Sequence, residues 1–250
     1  MATPPGGTGP LPAPFTEVRW FAEIDSTNRY LLDEARAGAP AGLVVVADHQ
    51  TAGRGRLGRS WVAPPGASLL LSVLLRPDLP TERRHVLVMA AGLAMAEAVE
   101  ETTGVSARLK WPNDLLVGDR KLAGILAEAT GDSLVVGIGV NLEWHDVPTD
   151  LRAIATACNL EGGRPAARET LLAAFLEQYA ARLADLAAAR SGYEARLATI
   201  GQRVRVEQAA GDLVGTARGV DELGRLVLEL PDGATTVVTV GDVIHLRPAD

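Results

Sequence analysis

The chain has 250 residues, enough for one large domain with a small one or for a single large α/β domain. Hydrophobic residues at 47% and charged residues at 22% exclude a disordered chain and a fibre, while 26 Gly and 15 Pro point to many turns. A net charge of −7 argues against a protein that tracks nucleic-acid phosphates, and the single cysteine, Cys158, excludes an intrachain disulfide and a zinc site built on paired cysteines. In chain order, residues 1–17 read as a disordered Pro/Gly-rich tail. No basic residue precedes Arg19 and no apolar core follows Met1, so no signal peptide is expected. Val18–Ala22 reads as a strand. Asp25-Ser-Thr-Asn28 supplies N-cap chemistry for a helix with Tyr30, Leu31, Leu32 and Ala35 on its apolar face, ended by Gly38. Leu43–Asp48 is a buried strand that runs into a glycine and arginine loop, and Ser68–Leu75 is the next strand.

Thr81 is placed as the cap of a long, buried helix reaching about Thr102. Its longest apolar stretch, Val86–Ala96, is well short of the roughly 18 residues of a membrane span, so a soluble, cytoplasmic protein without a membrane partner is expected. Strands follow at Ser106–Leu109, Leu115–Val117, Leu122–Glu128 and Ser133–Val140. Leu171, Leu172, Phe175, Leu176, Tyr179, Leu183 and Leu186 fall at helical spacing and predict one helix over 168–190. From Gly201 the pattern changes to short β segments (Arg203–Glu207, Leu213–Gly219, Arg225–Leu230, Thr235–Val240 and Val243–Leu246), which predicts a small all-β barrel and a domain boundary near residue 200. The expected organisation is a tail over 1–17, a catalytic domain over 18–200 and a barrel over 201–250.

Rare residues mark where chemistry sits. Of 24 basic residues 22 are arginine, and the two lysines, Lys110 and Lys121, lie within one twelve-residue stretch. A compact ammonium is not reproduced by a guanidinium fork, so the pair hints at a site that needs an amine head. The loop Gly53-Arg-Gly-Arg-Leu-Gly-Arg-Ser-Trp61 offers close backbone approach and forked donors for phosphate or carboxylate; a solvated Arg/Gly loop and, less so because it appears once, an RG-type nucleic-acid contact are the other readings, and it lacks P-loop spacing. Lys110-Trp-Pro-Asn-Asp114 is turn chemistry between two strands. Lys121 and Asp114 read either as an anion ligand with a base or as an ordinary salt bridge. Gly137-Ile-Gly-Val-Asn141 suggests close backbone approach at a strand end, with an amide able to read an adenine edge, or a plain strand-end turn. The four histidines show no metal-ligand spacing.

Together, Asp25-Ser-Thr-Asn28, Gln50-Thr-Ala-Gly-Arg-Gly-Arg-Leu-Gly-Arg-Ser-Trp61, Lys110-Trp-Pro-Asn-Asp-Leu115, Arg120-Lys-Leu-Ala-Gly-Ile-Leu126 and Gly137-Ile-Gly-Val-Asn141 resemble the biotin protein ligase family, in its order and spacing over residues 18–250. The resemblance implies an α+β, class II synthetase-like catalytic domain with a mixed, mostly antiparallel sheet, followed by an SH3-like barrel. It implies ATP-dependent formation of biotinyl-5′-AMP with Mg²⁺ assisting, then transfer of biotin to a lysine of a biotin carboxyl carrier protein; a lipoate or octanoate ligase on the same fold is the alternative. It assigns Lys121, Arg56 and Asp114 to catalysis. Ser26, Thr27, Asn28, Gln50, Gly53, Arg54, Gly55, Arg56 and Lys121 are assigned to biotin. Arg54, Arg56, Arg59, Trp61, Asn113, Lys121 and Asn141 are assigned to ATP, with Trp61 bordering the adenine, Asn141 bonding it and Asp114 orienting or deprotonating the incoming amine. The metal ligands and the oligomeric state stay open. Some family members carry an N-terminal winged helix-turn-helix and repress transcription; about seventeen residues before the first strand are too few for that module, so no nucleic-acid partner is expected.

Overall fold

The computed structural model describes residues 10–145, 147, 149, 151–208, 211–239 and 241–245. Seven strands form one sheet: β1 (Glu17–Ile24), β2 (Leu43–Gln50), β3 (Ser68–Leu75), β4 (Arg108–Lys110), β5 (Asp114–Val117), β6 (Arg120–Thr130) and β7 (Ser133–Asn141). Their spatial order is β1-β2-β3-β7-β6-β5-β4. β1 and β2 run parallel and the other neighbours antiparallel, the mixed sheet that the resemblance implies.

Period-two side-chain alternation gives the sheet two different faces. Along β7, Val136, Ile138 and Val140 enter the main core with Leu69, Leu71 and Val73 of β3. That face is covered by three helices: α2 (His85–Thr103), α3 (Arg168–Ala184) and α4 (Leu186–Arg196). α2 is apolar on nearly every side because it is sandwiched between the sheet and the other two helices, and Gly104 ends it at φ +79° by donating to the Glu100 carbonyl. The opposite face meets α1 (Thr27–Arg36), whose Leu31, Leu32 and Ala35 pack on Leu43, Val45, Leu74 and Val135. Ser26 caps α1 as expected, its Oγ accepting from the Arg29 N–H.

A second sheet follows: β8 (Arg203–Glu207), β9 (Leu213–Val220), β10 (Leu226–Glu229), β11 (Thr235–Val238) and β12 (Asp242–His245), antiparallel throughout, in the order β11-β10-β9-β8-β12. It docks against the first through Trp111, whose buried indole Nε1 donates to the Gly224 carbonyl at 3.0 Å and whose backbone N–H donates to Thr199 Oγ1 at 3.2 Å.

Four expectations need correction. Residues 10–17 of the supposed tail are ordered by packing: Phe15 is buried and stacks on Tyr179 at 6.0 Å, and such burial contributes about 1.5–3 kcal/mol. Residues 1–9 lie outside the described set. Thr81 opens only a 3-10 turn, Thr81–Arg83, and α2 starts at His85. The helix predicted over 168–190 breaks at Asp185, where φ −138° and ψ 85° are non-helical and the carboxylate caps α4 by accepting from the Ala188 N–H. The strand expected from Ser106 begins at Arg108; positions 240 and 246, read as the ends of the last two strands, lie outside the described residues. No described helix is long and apolar enough to cross a membrane.

Candidate active site

The face of the large sheet turned towards α1 carries three glycines near its centre, Gly124, Gly137 and Gly139. Register places Ser72 opposite Gly137, Leu126 opposite Gly137, and Gly124 opposite Gly139. Over this patch lies a cleft lined by Ser26, Thr27, Asn28, Gln50, Arg54, Gly55, Arg56, Trp61, Asn113 and Lys121, with Gly124, Gly137 and Gly139 as its floor. The glycines are required by close approach. A Cβ on Gly139 would lie 2.5 Å from the Trp61 indole, and one on Gly124 would lie 2.9 Å from it.

One end of the cleft is neutral and closely hydrogen-bonded. The N-terminus of α1 brings in Ser26, Thr27 and Asn28, all buried. Gln50, at the end of β2, accepts through Oε1 from the Thr27 N–H at 2.8 Å and lies 3.0 Å from Thr27 Oγ1. Ser72 Oγ is 2.7 Å from Thr27 Oγ1 and 2.6 Å from Asn28 Oδ1. Asn28 Nδ2 donates to the Leu126 carbonyl at 3.2 Å and to Glu128 at 2.9 Å, and Glu128 also pairs with Arg54 at 2.8 Å. Burying this many polar groups is tolerable only because they satisfy one another.

The other end is cationic. The loop after β2 folds back on itself: Gly55 N–H donates to the Arg59 carbonyl at 2.7 Å and Trp61 N–H to the Gly53 carbonyl at 3.0 Å. Its turn places Leu57 at φ +56° and Gly58 at φ +75°. Arg56 donates to Asn113 Oδ1 at 3.1 Å and to the Gly241 carbonyl at 3.4 Å, and faces Asp242 at 3.9 Å. Burial lowers its pKa, with Asp242 and Asp114 opposing. Arg59 forms an ion pair with Asp242. Lys121 Nζ pairs with Asp114 at 2.7 Å and sits 5.6 Å above the Trp61 ring. Burial likewise lowers the pKa of Lys110, which stands directly across β4 and β5 from Asp114. The two lysines thus share one cluster, as their spacing suggested.

Not every expected residue faces the cleft. Asn141 is buried and outside the cleft lining, donating to the Thr156 carbonyl at 3.0 Å and accepting from Ser68 at 3.2 Å. Gly53 supports the loop instead of lining the cleft; a Cβ there would meet the Trp61 carbonyl at 2.4 Å. Arg59 and Asp114 flank the lining through their ion pairs. Asn28 lines the cleft, yet both ends of its amide are engaged inside the protein. Sequence reading missed Ser72, Glu128, Gly124 and Asp242. Gly124 lies in the Arg120–Leu126 motif, but nothing local distinguishes Glu128 from a solvated strand residue, and Asp242 arrives from the second sheet.

Comparison with known proteins agrees with both parts of the chain. The Biotin/lipoate A/B protein ligase family model matches residues 20–143, and the Biotin protein ligase C terminal domain model matches residues 199–246. The biotin–[acetyl-CoA-carboxylase] ligase of Mycobacterium tuberculosis is 42% identical over 236 residues, covering 90% of this chain and 88% of that protein. The bifunctional ligase/repressor BirA of Escherichia coli is 36% identical over 238 residues, covering 91% of this chain and 73% of that one. A biotin protein ligase from Aquifex aeolicus, solved in complex with biotin and ATP, superposes with a TM-score of 0.82 at 29% identity, covering 93% of this chain and 100% of that one. A glycine-floored cleft with a neutral and a cationic end, carried on a chain matched along nearly its whole length, leads to one assignment: the chain belongs to the biotin protein ligase family.

Proposed function

We infer that this chain is a biotin–[acetyl-CoA-carboxylase] ligase, which uses ATP to convert biotin to biotinyl-5′-AMP and passes the biotinyl group to a lysine of a biotin-carrying carboxylase subunit. The observation that carries the reading is the division of the cleft. A cyclic urea presents N–H donors beside a carbonyl acceptor, and the neutral end offers Ser26, Thr27 and the Gln50 amide to meet them. A carboxylate and an α-phosphate repel each other unless cations hold them together; Arg56 and Lys121 stand at the other end, and Arg54, held by Glu128, lines the cleft between.

In the first step a biotin carboxylate oxygen attacks the α-phosphorus; the new P–O bond forms as the bond to the β-phosphate oxygen breaks and pyrophosphate leaves with the electron pair. We assign Lys121 and Arg56 to the charge that develops there, Lys121 exchanging its partner Asp114 for substrate anions. Arg59, with Asn113, is assigned to the nucleotide phosphates. Trp61, over Gly124 and Gly139, forms a wall between the two substrates, and its buried Nε1–H makes no hydrogen bond among the described residues. In the second step the carrier amine attacks the acyl carbon, a C–N bond forms and AMP leaves; Asp114, released by Lys121, takes the proton. When bound, Mg²⁺ would neutralise charge on the nucleotide phosphates; Asp114 and Asp242, the carboxylates of the cationic end, would be the residues to hold it on leaving Lys121, Arg56 and Arg59. We place the boundary between a catalytic unit and the C-terminal unit near residue 200, a reading supported by the two separate sheets.

The test is ATP–pyrophosphate exchange with biotin, lipoate or octanoate. Exchange with biotin alone is expected, followed by labelling of a carrier lysine. Exchange with lipoate and none with biotin would overturn the reading.

A further inference from the structure

A chain of hydrogen bonds runs beneath the cleft from the loop arginine to a ring-facing hydroxyl, and its direction can be worked out group by group. Glu128 holds Arg54 through one oxygen and Asn28 Nδ2 through the other, while the Leu126 carbonyl accepts from the same nitrogen. A carboxylate and a carbonyl only accept, so Asn28 turns its NH2 towards them and its Oδ1 towards Ser72. That Oδ1 also only accepts, so the Ser72 hydroxyl, 2.6 Å away, commits its single proton there. Ser72 then has no proton for Thr27 Oγ1 at 2.7 Å. Thr27 gives its own proton to Ser72 or to Gln50 Oε1 and keeps its acceptor lone pairs for whatever enters the cleft it lines. Gln50 Oε1 is occupied by the Thr27 N–H, which leaves Nε2 as a donor.

Space for this relay is built into the sheet. Ser72 and Leu126 are the register partners of Gly137 on either side, and a Cβ on Gly137 would fall 2.0 Å from Asn28 Oδ1. Ser72 is fully buried and Asn28 nearly so, so water does not substitute for a missing link at low cost.

We propose that Glu128 is a positioning residue which, through Asn28 and Ser72, fixes Thr27 Oγ1 as the acceptor for a ring N–H of the substrate and ties that polarity to the hold on Arg54. The proposal rests on the reading of the cleft as a biotin site. In Glu128→Gln one amide must serve both neighbours: its oxygen stays with the Arg54 guanidinium, the stronger charge-assisted bond, and its NH2 then faces the Asn28 NH2. The relay then reverses or breaks, and Thr27 no longer reliably accepts.

Calorimetry of the full chain with biotin, and with an analogue in which both ring N–H groups are replaced by oxygen, tests this. Wild type should discriminate strongly in favour of biotin. Glu128→Gln and Ser72→Ala should each lose about tenfold or more in biotin affinity with about twofold or less change for the analogue, and the double variant should be no worse than the worse single one, because all cut one relay. A purely structural role would lower the affinity for both ligands alike. Ser72→Ala carries the test by itself if Glu128→Gln does not fold. Unchanged discrimination in the variants, or additive losses in the double variant, overturns the relay while wild-type biotin binding stands. No binding of biotin by the wild-type chain overturns the reading of the cleft and the relay together.

Discussion

The two ends of the cleft are stabilised in different ways. The neutral end is assembled from neighbours within one sheet and the first turn of α1, each buried polar atom meeting another. The cationic end combines a loop held by ion pairs to two distant carboxylates, Arg54 to Glu128 and Arg59 with Arg56 to Asp242 of the second sheet, with the Lys121–Asp114 pair on neighbouring strands. A preorganised hydrogen-bond site recognises shape and polarity with little rearrangement. Ion pairs must be exchanged for substrate anions, so that end responds to charge, salt and pH.

The largest expected effect is at Lys121. Lys121→Arg retains charge but replaces a compact ammonium paired to Asp114 by a broader fork; about 2.7–4 kcal/mol of transition-state stabilisation, roughly 10²–10³-fold in exchange rate, should be lost while the melting temperature holds. Wild-type exchange rates would remove Lys121 from the reaction.

Arg56→Ala should separate the two ends. Binding of a non-hydrolysable biotinyl-AMP analogue should weaken about 10- to 100-fold, the range of a hydrogen bond to a charged group, while biotin itself weakens far less. Calorimetry showing equal losses would mean that the ends act as one unit.

His85 sharpens the contrast through pH. It lies beneath the cationic end, with a Cβ on Gly224 2.8 Å from its ring, and burial, aided by the Arg56 charge, lowers its pKa to about 4. The unfolded chain binds the proton near pH 6.5, so the contribution of neutral His85 is complete above that value and is lost as pH falls towards 4. The loss is about 2–3 kcal/mol. Urea titrations from pH 7 to 4 should show this slope, flattened in His85→Phe; an unchanged slope would discard the assignment.

The smallest effect is expected at the floor. Gly139→Ala would force the Trp61 ring, 2.5 Å from the new methyl, into the cleft. Biotin affinity should fall about tenfold, or about 1.4 kcal/mol, with turnover at saturating biotin nearly unchanged. An unaltered dissociation constant would show that the indole moves aside freely.

Sequence by itself determined the local chemistry here. Capping by Ser26, the strand sequence up to β7, the glycine and arginine loop, and the clustering of Lys110 with Lys121 are all written in neighbouring residues, since hydrogen-bonding type and period-two patterning act over a few positions. Packing decided the rest. Phe15 is held by Tyr179 from α3, the helix over 168–190 divides where the Asp185 carboxylate finds the Ala188 N–H, and the Asn141 amide is taken by Ser68 and Thr156. Glu128 and Asp242 joined the site for the same reason. A charged side chain carries no record in its own sequence of whether it will face water or a cation folded in from far along the chain; Glu128 and Arg54 meet across two strands, and Arg59 and Asp242 across two sheets. Only the tertiary structure brings those charges within ion-pairing distance.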